Sequence, residues 1–475
     1  MSISLDLAER IVRLSQDDLT ACAVDNAKTV ILDTVGCALA GADEPVVRTL
    51  LRTPGLATPG PASLIGRRER LDPLCAALVN GAAAHALDFD DVNVAIGGHP
   101  SAPVLPALLA LAETRTVSGR DLLLAFVAGF ETETRLARCV NFHHYEKGWH
   151  PTATMGVFGA AAACAKLLGL RAEQVAMALS MCGSLASGIK ANFGTMTKPF
   201  HVGHCARNGL MAALLAREGF TANPDAFEHK QGFFLVYNGT GTFDPAAATR
   251  DWAAPLDIVE PGIGIKLYPC CDSTHTALDA LFTLAKRHAF TVDDVARMDV
   301  LVHPLRLLHV DRPTLATELD AKFSVQYCLA RGLLDGRIGL DSFGAAPRAE
   351  PRLQELMSRV TAAPHPDPSQ AIDGNYLTEL TVTLTDGRRL HLKMDSPYGR
   401  RPEDPAPPEL IAAKFAGCAA KALPPRAVLR LREALLAFET LDDVAALGRA
   451  WTPPQGIPMH AGAARMPFDP AVVRP

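Results

Sequence analysis

The stretch Leu74–Pro100, LCAALVNGAAAHALDFDDVNVAIGGHP, joins an apolar run to a polar one. In its first half, small and apolar residues recur at helical spacing with only Asn80 interrupting, which predicts a buried helix. The second half, from His85, adds Asp88, Asp90, Asp91 and His99. Carboxylates at the end of a buried helix cost free energy unless a partner or a reaction uses them. The Gly97-Gly98 turn then brings back His99, held by Pro100, so a histidine and a carboxylate can form an acid–base pair. The plainer alternative is a solvated loop that ends a helix.

Around this stretch the pattern stays helical. Residues 5–15, 20–41, 44–52 and 72–87 read as helices, and 54–61 as a Pro/Gly-rich loop. SAPVLPALLALAETR and GRDLLLAFVAGFETETRLARC follow, parted at Ser118-Gly119. GWHPTATMGVFGAAAACAKLLGL, from Gly148, is rich in Gly, Ala and Thr, which lets helices approach closely. RAEQVAMALSMCGSLASGI is one more helix. A glycine-bearing loop, KANFGTMTKPFHVGH, then leads to the helix CARNGLMAALLAREG. Residues 1–265 therefore read as an almost wholly helical domain.

The texture changes at Lys266. HTALDALFTLAKRH and AKFSVQYCLARGLLDG read as helices, the second stopped by glycine, and MDVLVH as a short strand. YLTELTVTLTDGRRLHLKMD alternates with period two on both sides of Asp386-Gly387, a β-hairpin signal. Residues 266–402 are thus expected to form a smaller α+β domain, with SPYGRRPEDPAPP a linker. Helix returns over 408–449, and the Pro/Gly-rich tail 451–475 reads as extended or disordered. The fold class is mainly α with an α+β part, the helical portion being 1–265 with 403–475.

At 475 residues the chain is long enough for two or three domains. It is 48% hydrophobic and 20% charged, which fits a large core. A formal charge of -5 without a basic stripe argues against nucleic acid as a partner. No run is long and apolar enough for a membrane span, and the N-terminus reads as an amphipathic helix, not a signal peptide. The 11 cysteines are scattered without a CxxC, so neither a disulfide framework nor a zinc site is expected, and a reducing cytoplasm is.

Polar residues stand in core-like settings at four places. The first is Asp88, Asp90, Asp91 and His99. The second is His150, ahead of an apolar helix, where the helix dipole disfavours an imidazolium and favours an anion; a capping or packing histidine is the alternative. The third is TMTKPFH, where Lys198, flanked by Thr195 and Thr197 and followed by His201, suits a carboxylate clamp or a proton carrier, against the alternative of a solvated lysine. The fourth is KLYPCCDSTH, with Lys266, Cys271 and His275 at the expected domain boundary, where ligand sites concentrate. Nothing local marks Cys271 as activated, and an inert buried thiol is the plain reading. No GxGxxG follows a strand, and GxxxxGK[ST], HExxH and GxSxG do not occur, so no cofactor and no metal are expected. A set of His, Lys and Asp suits proton transfer on an anionic substrate.

These motifs together resemble the MmgE/PrpD family, which includes 2-methylcitrate dehydratases, cis-aconitate decarboxylases and iminodisuccinate epimerases. The matching pieces are HALDFDDV…GHPSAPVLPALLAL, GWHPTATMG, FGTMTKPFHVGHCARNGLMAALLA, KLYPCCDSTHTALDAL and PYGRRPEDPAPPELIAAKF. The resemblance implies a helical domain made of both chain ends, an inserted α+β lid domain and a homodimer. It also implies that the decarboxylase branch needs no metal or organic cofactor. It puts Asp88, His99, His150, Lys198 and Lys266 at the decarboxylase active-site positions. The pattern breaks at Val92, where a threonine is expected, at Cys271, where a histidine is expected, and at His309, where a tyrosine is expected.

The expectation is a small di- or tricarboxylate held between the domains. Lys198 and Lys266 grip its carboxylates, with Asp91, Thr197, His201, Cys271 and His275 as further substrate contacts. His99 or His150, oriented by Asp88, removes a proton α to a carboxylate. Dehydration of a 2-methylcitrate-like substrate comes first as the family's broadest theme. Epimerisation of an iminodisuccinate-like substrate is second and cis-aconitate-like decarboxylation third. The non-enzyme alternative is a polycarboxylate-binding dimer.

Overall fold

The computed structural model describes residues 2–370 and 376–455. The chain divides into two compact units, one made of the chain up to Ile265 with the segment from Lys414, the other of Lys266–Ala413.

The first unit is organised around the helix Pro73–His85. Asp72 caps it by accepting from the backbone N–H groups of Leu74 and Cys75, and Pro73 occupies the first turn, where no N–H partner is needed. Every residue from Cys75 to His85 is buried. Asn80, the polar interruption, is satisfied: its Oδ1 accepts from Ile65 N at 2.9 Å and its Nδ2 donates to Ser63 O at 3.0 Å.

The helix Thr197–Arg217 lies against it, and glycine sets how closely. A Cβ at Gly203 would fall 2.0 Å from Leu78 O, and one at Gly81 would fall 2.9 Å from Gly203 Cα. The helices Ala21–Gly41, Ser101–Ala112, Gly119–Val140 and Gly156–Leu167 complete the packing around this pair. Small side chains over 156–165, all buried, make that approach possible.

Three expectations for this unit change. Residues 54–61 are not all loop: the strand Pro59–Ser63 begins there and pairs antiparallel with Arg70–Leu71. The helix after 190 begins at Thr197, earlier than the sequence suggested, because Pro199 sits in the first turn, where a missing N–H costs nothing. The tail begins ordered: Trp451 is buried and its Nε1 donates to Ser63 Oγ at 2.9 Å. The rest of the segment read as extended or disordered, 456–475, lies outside the described residues.

The second unit holds a four-stranded sheet in the order Val360–Pro364, Val295–Val302, Thr378–Leu384, Arg389–Met394. The first pair is parallel and the other two are antiparallel. Strict alternation of buried and half-buried residues along 378–384 is the signature that was read as a hairpin. Gly387, at φ 88°, makes its turn. The inward residues Val300, Leu380 and Val382 join Leu281, Leu284 and Leu329 in one apolar cluster. The segment 397–403 is more than a linker, since Arg400 is buried and ion-paired to Asp272.

Candidate active site

In the first unit the helix Pro73–His85 ends by delivering His85 to a buried turn. Asp88 follows in the left-handed region at φ 55°, a conformation uncommon for a residue with a side chain. Asp88, Asp90 and Asp91 then point to different partners. Lys198, near the start of Thr197–Arg217, donates to Asp88 Oδ1. His85 Nδ1 lies 3.0 and 2.8 Å from the two carboxylate oxygens of Asp90. Ser101 donates to Asp91 Oδ2 at 2.8 Å.

The loop returns His99 to the same place. Its backbone N–H donates to Thr152 Oγ1 at 3.1 Å, and Gly98 leaves room for that hydroxyl, which would lie 2.6 Å from a Cβ. His99 Nδ1 is 3.2 Å from Asp90 Oδ2, while its Nε2 is 3.6 Å from Asp88 Oδ1. The expectation that Asp88 orients this histidine therefore changes. Asp88 is engaged by Lys198, and the carboxylate within hydrogen-bonding distance of His99 is that of Asp90.

His150 stands just ahead of the short helix Pro151–Thr154, with its backbone N–H on Gly188 O at 3.0 Å. Its Nδ1 is 3.3 Å from His201 Nδ1, so one ring donates and the other accepts. Phe193 meets the His150 ring edge-on, centroids 4.8 Å apart, and lies 5.1 Å from Lys198 Nζ. His85 is 4.6 Å from the His99 ring and 5.7 Å from that of His150.

Burial sets the charge of this cluster. It pushes the His85 imidazole down to about 4 against the attraction of Asp90, with Lys198 and His99 adding to the shift. It holds His150 well below the ordinary histidine range, helped by His85, Lys198 and His201. His201 is pushed to about 4 by burial, with His204 and Lys198 contributing. All three are neutral bases near pH 7, gathered beside an ammonium group. Burial opposes the charge of Asp90, but the His85 and His99 rings outweigh it and keep this carboxyl well below its usual range. His85, Asp90 and His99 also place one donor atom each within 4.8 Å of one another, the spacing of a possible cation site.

Asp91 faces a different set. Burial, and then Asp33, push its carboxyl well above the carboxylate range, and Glu133 is raised by burial and by Asp91. Asp33 is ion-paired with Lys414 at 2.6 Å, and the same ammonium donates to Phe89 O at 2.6 Å, which anchors the turn from beneath. Thr197 is half-buried at the start of its helix.

Lys266, Cys271 and His275 belong to the second unit. There Asp272 is the centre: Arg400 and Tyr376 Oη engage its carboxylate, and His275 Nδ1 is 3.8 Å away. Burial opposes this charge too, and Arg400, His275 and Lys266 together drive the carboxyl far below its usual range. Cys271 packs into the apolar cluster of this unit. His309 is half-buried on the helix Pro304–Val310.

Of the predicted residues, Asp88, His99, His150, Lys198 and His201 come together in the first unit, and Asp91 turns to Asp33. Reading the sequence gave no role to His85, Asp90, Asp272 or Arg400, although it set Asp90 among the polar residues in core-like settings. For the first two a signal existed, a histidine and an aspartate five positions apart across a helix end. For the Asp272–Arg400 pair there was none.

Comparison with known proteins gives the same family for both parts of the chain. The family model described as MmgE/PrpD N-terminal domain matches residues 5–246, and the MmgE/PrpD C-terminal domain matches 268–440. The chain is 33% identical to a cis-aconitate decarboxylase of Homo sapiens over 94% of each chain. It is 29% identical to one of Aspergillus terreus, covering 91% of this chain and 92% of that protein. To a 2-methylcitrate dehydratase of Cupriavidus necator it is 26% identical, over 89% and 91%.

Proposed function

Because this chain belongs to the MmgE/PrpD family of enzymes, we propose that it is a lyase that moves a proton at a carbon α to a carboxylate of a small tricarboxylate, using its own acid and base groups. The observation that carries this reading is the meeting of Lys198, Asp88, His99 and His150 in one buried cluster where His150 is a neutral base. A cation beside neutral imidazoles attracts an anionic substrate and stabilises the charge that develops when its α-carbon is ionised or protonated. Assembly as a homodimer belongs to the same reading.

The two lyase reactions of the relatives ask different things of these groups. Decarboxylation of a cis-aconitate-like substrate needs an acid that protonates the alkene carbon. The double bond shifts, and the bond to a carboxylate breaks to release carbon dioxide. Dehydration of a 2-methylcitrate-like substrate needs a base for the α-proton and an acid for the departing hydroxyl. The greater identity to decarboxylases moves decarboxylation ahead of dehydration, which the sequence alone had put first. Val92 favours the second reading. It stands where the resemblance implies a threonine, its backbone is paired to Gly264 on both sides, and a lost hydroxyl can change substrate preference by orders of magnitude.

The test is to supply cis-aconitate, 2-methylcitrate and iminodisuccinate separately, and to measure carbon dioxide, alkene absorbance and the proton NMR spectrum. Carbon dioxide from cis-aconitate supports the first reading, and alkene from 2-methylcitrate the second. Exchange at the α-carbon of iminodisuccinate with neither product indicates an epimerase. Ligand stabilisation without any of these changes leaves the binding-dimer alternative and contradicts the proposal.

A further inference from the structure

We propose that Asp90 is the positioning residue of this site: it holds the Nδ1–H of both His85 and His99 and leaves Nε2 of His99 as the nitrogen that exchanges a proton with the substrate. The hydrogen positions follow from the geometry alone; the exchange rests on the functional reading above.

The argument is one of donors and acceptors. His85 Nδ1 faces two carboxylate oxygens of Asp90, at 2.8 and 3.0 Å. His99 Nδ1 faces Asp90 Oδ2 at 3.2 Å and Asp90 O at 3.2 Å. Each of these atoms only accepts, so each Nδ1 must carry its hydrogen, whatever the charge of the ring. Both rings and the carboxylate are buried, so water does not compete for these bonds. The His85 ring packs edge-on against that of His99 and limits its rotation. Nε2 of His99 then points towards Asp88, whose near oxygen is occupied by Lys198. In this arrangement Asp88 and Lys198 form the charged pair beside the reacting nitrogen, and Asp90 fixes which nitrogen that is.

An asparagine at position 90 cannot do the same. Its amide offers one acceptor oxygen and a donor NH2, so the His85 Nδ1–H loses one of its two acceptors and the His99 Nδ1–H is left with the backbone oxygen of residue 90 alone, which loosens the hold on both rings. A tautomer error at a catalytic histidine removes catalysis without removing substrate contacts.

The experiment uses the full chain labelled with 15N-histidine, the His85 and His99 signals being assigned through His85→Gln and His99→Gln variants. Wild-type protein is expected to show both residues protonated at Nδ1. In Asp90→Asn the Nδ1-protonated form should no longer be the sole one, and a fraction protonated at Nε2 should appear for at least one of the two residues. In the same variant kcat should fall by roughly 10²–10⁴-fold with KM little changed, and Asp90→Glu should restore part of the loss. Wild-type His99 bearing its hydrogen on Nε2 overturns the proposal even if Asp90→Asn does not fold. Unchanged tautomers and kcat in a folded Asp90→Asn overturn it as well. So does a stoichiometric divalent metal in the wild type that Asp90→Asn loses, because the three side chains would then be its ligands. If the wild type turns over none of the three substrates while both Nδ1 hydrogens are found, the placement of Asp90 stands and the functional reading fails.

Discussion

Asp90 and Asp91 are neighbours in the chain and both are fully buried, yet their carboxyl groups are driven in opposite directions. On the Asp90 side of the turn two imidazoles supply enough favourable interaction to overcome burial. On the Asp91 side stand further carboxyls, Asp33 and Glu133, and burial wins. One turn of backbone thus separates a region built to hold negative charge from one that holds protons. The second unit repeats the first solution with other chemistry: Asp272 stays ionised because Arg400, His275 and Lys266 face it. Burial alone does not decide the state of a carboxyl; the partner does.

The most damaging change to this cluster should be at one of its neutral imidazoles. His150→Gln is expected to lower turnover by roughly 10²–10⁴-fold while leaving thermal stability near wild type. Lys198→Ala removes the cation that engages Asp88, and turnover should fall by roughly 10²–10³-fold. A fully active Lys198→Ala enzyme would remove the charged pair from the account. In the second unit, Arg400→Ala leaves Asp272 without its strongest partner, and chemical denaturation should report a loss on the order of 3–5 kcal/mol. A loss well under ~1 kcal/mol would mean that the pair is worth no more than an exposed one.

The smallest effect falls on the carboxyl side and is a matter of pH. Glu133 is protonated in the fold because its carboxyl is raised, whereas in the unfolded chain it ionises in the ordinary range. Its contribution is complete below that range and is lost as pH rises towards the folded value, at up to about 1.4 kcal/mol per pH unit. Glu133→Gln should therefore flatten the fall in melting temperature as pH rises above the ordinary carboxylate range. Asp90 has the opposite sign: its carboxyl is lowered, so its contribution is present above the ordinary range and disappears as pH falls. Identical pH slopes in wild type and Glu133→Gln would contradict the neutral state of that residue.

Much of this was legible beforehand because it is local. The buried helix before His85, the alternation around Asp386-Gly387 and the clustering of His, Lys and Asp are periodicities and compositions that a sequence displays directly. The start of the helix Thr197–Arg217 was hidden in a glycine-bearing segment read as loop, whose Pro199 the first turn accepts. Arg400 was hidden because its partner, Asp272, is distant in the chain, and a Pro/Gly-rich segment gives no sign of being buried. The choice between Asp88 and Asp90 as the orienting carboxylate was also out of reach. Both flank Phe89 at similar distances from the histidines along the chain, and the left-handed φ at Asp88 that turns the chain between them is not written in the residue types.

The central claim is that these side chains move a proton at a carbon next to a carboxylate. Turnover of cis-aconitate in heavy water, or of α-deuterated 2-methylcitrate, followed by NMR, tests it directly. Decarboxylation should carry solvent deuterium to a carbon α to a carboxylate of the product, dehydration should strip a deuterium label from the α-carbon of 2-methylcitrate, and Lys198→Ala should suppress both. Carbon dioxide release from cis-aconitate with no deuterium at such a carbon of the product, or dehydration of α-deuterated 2-methylcitrate that keeps its label, would contradict the account.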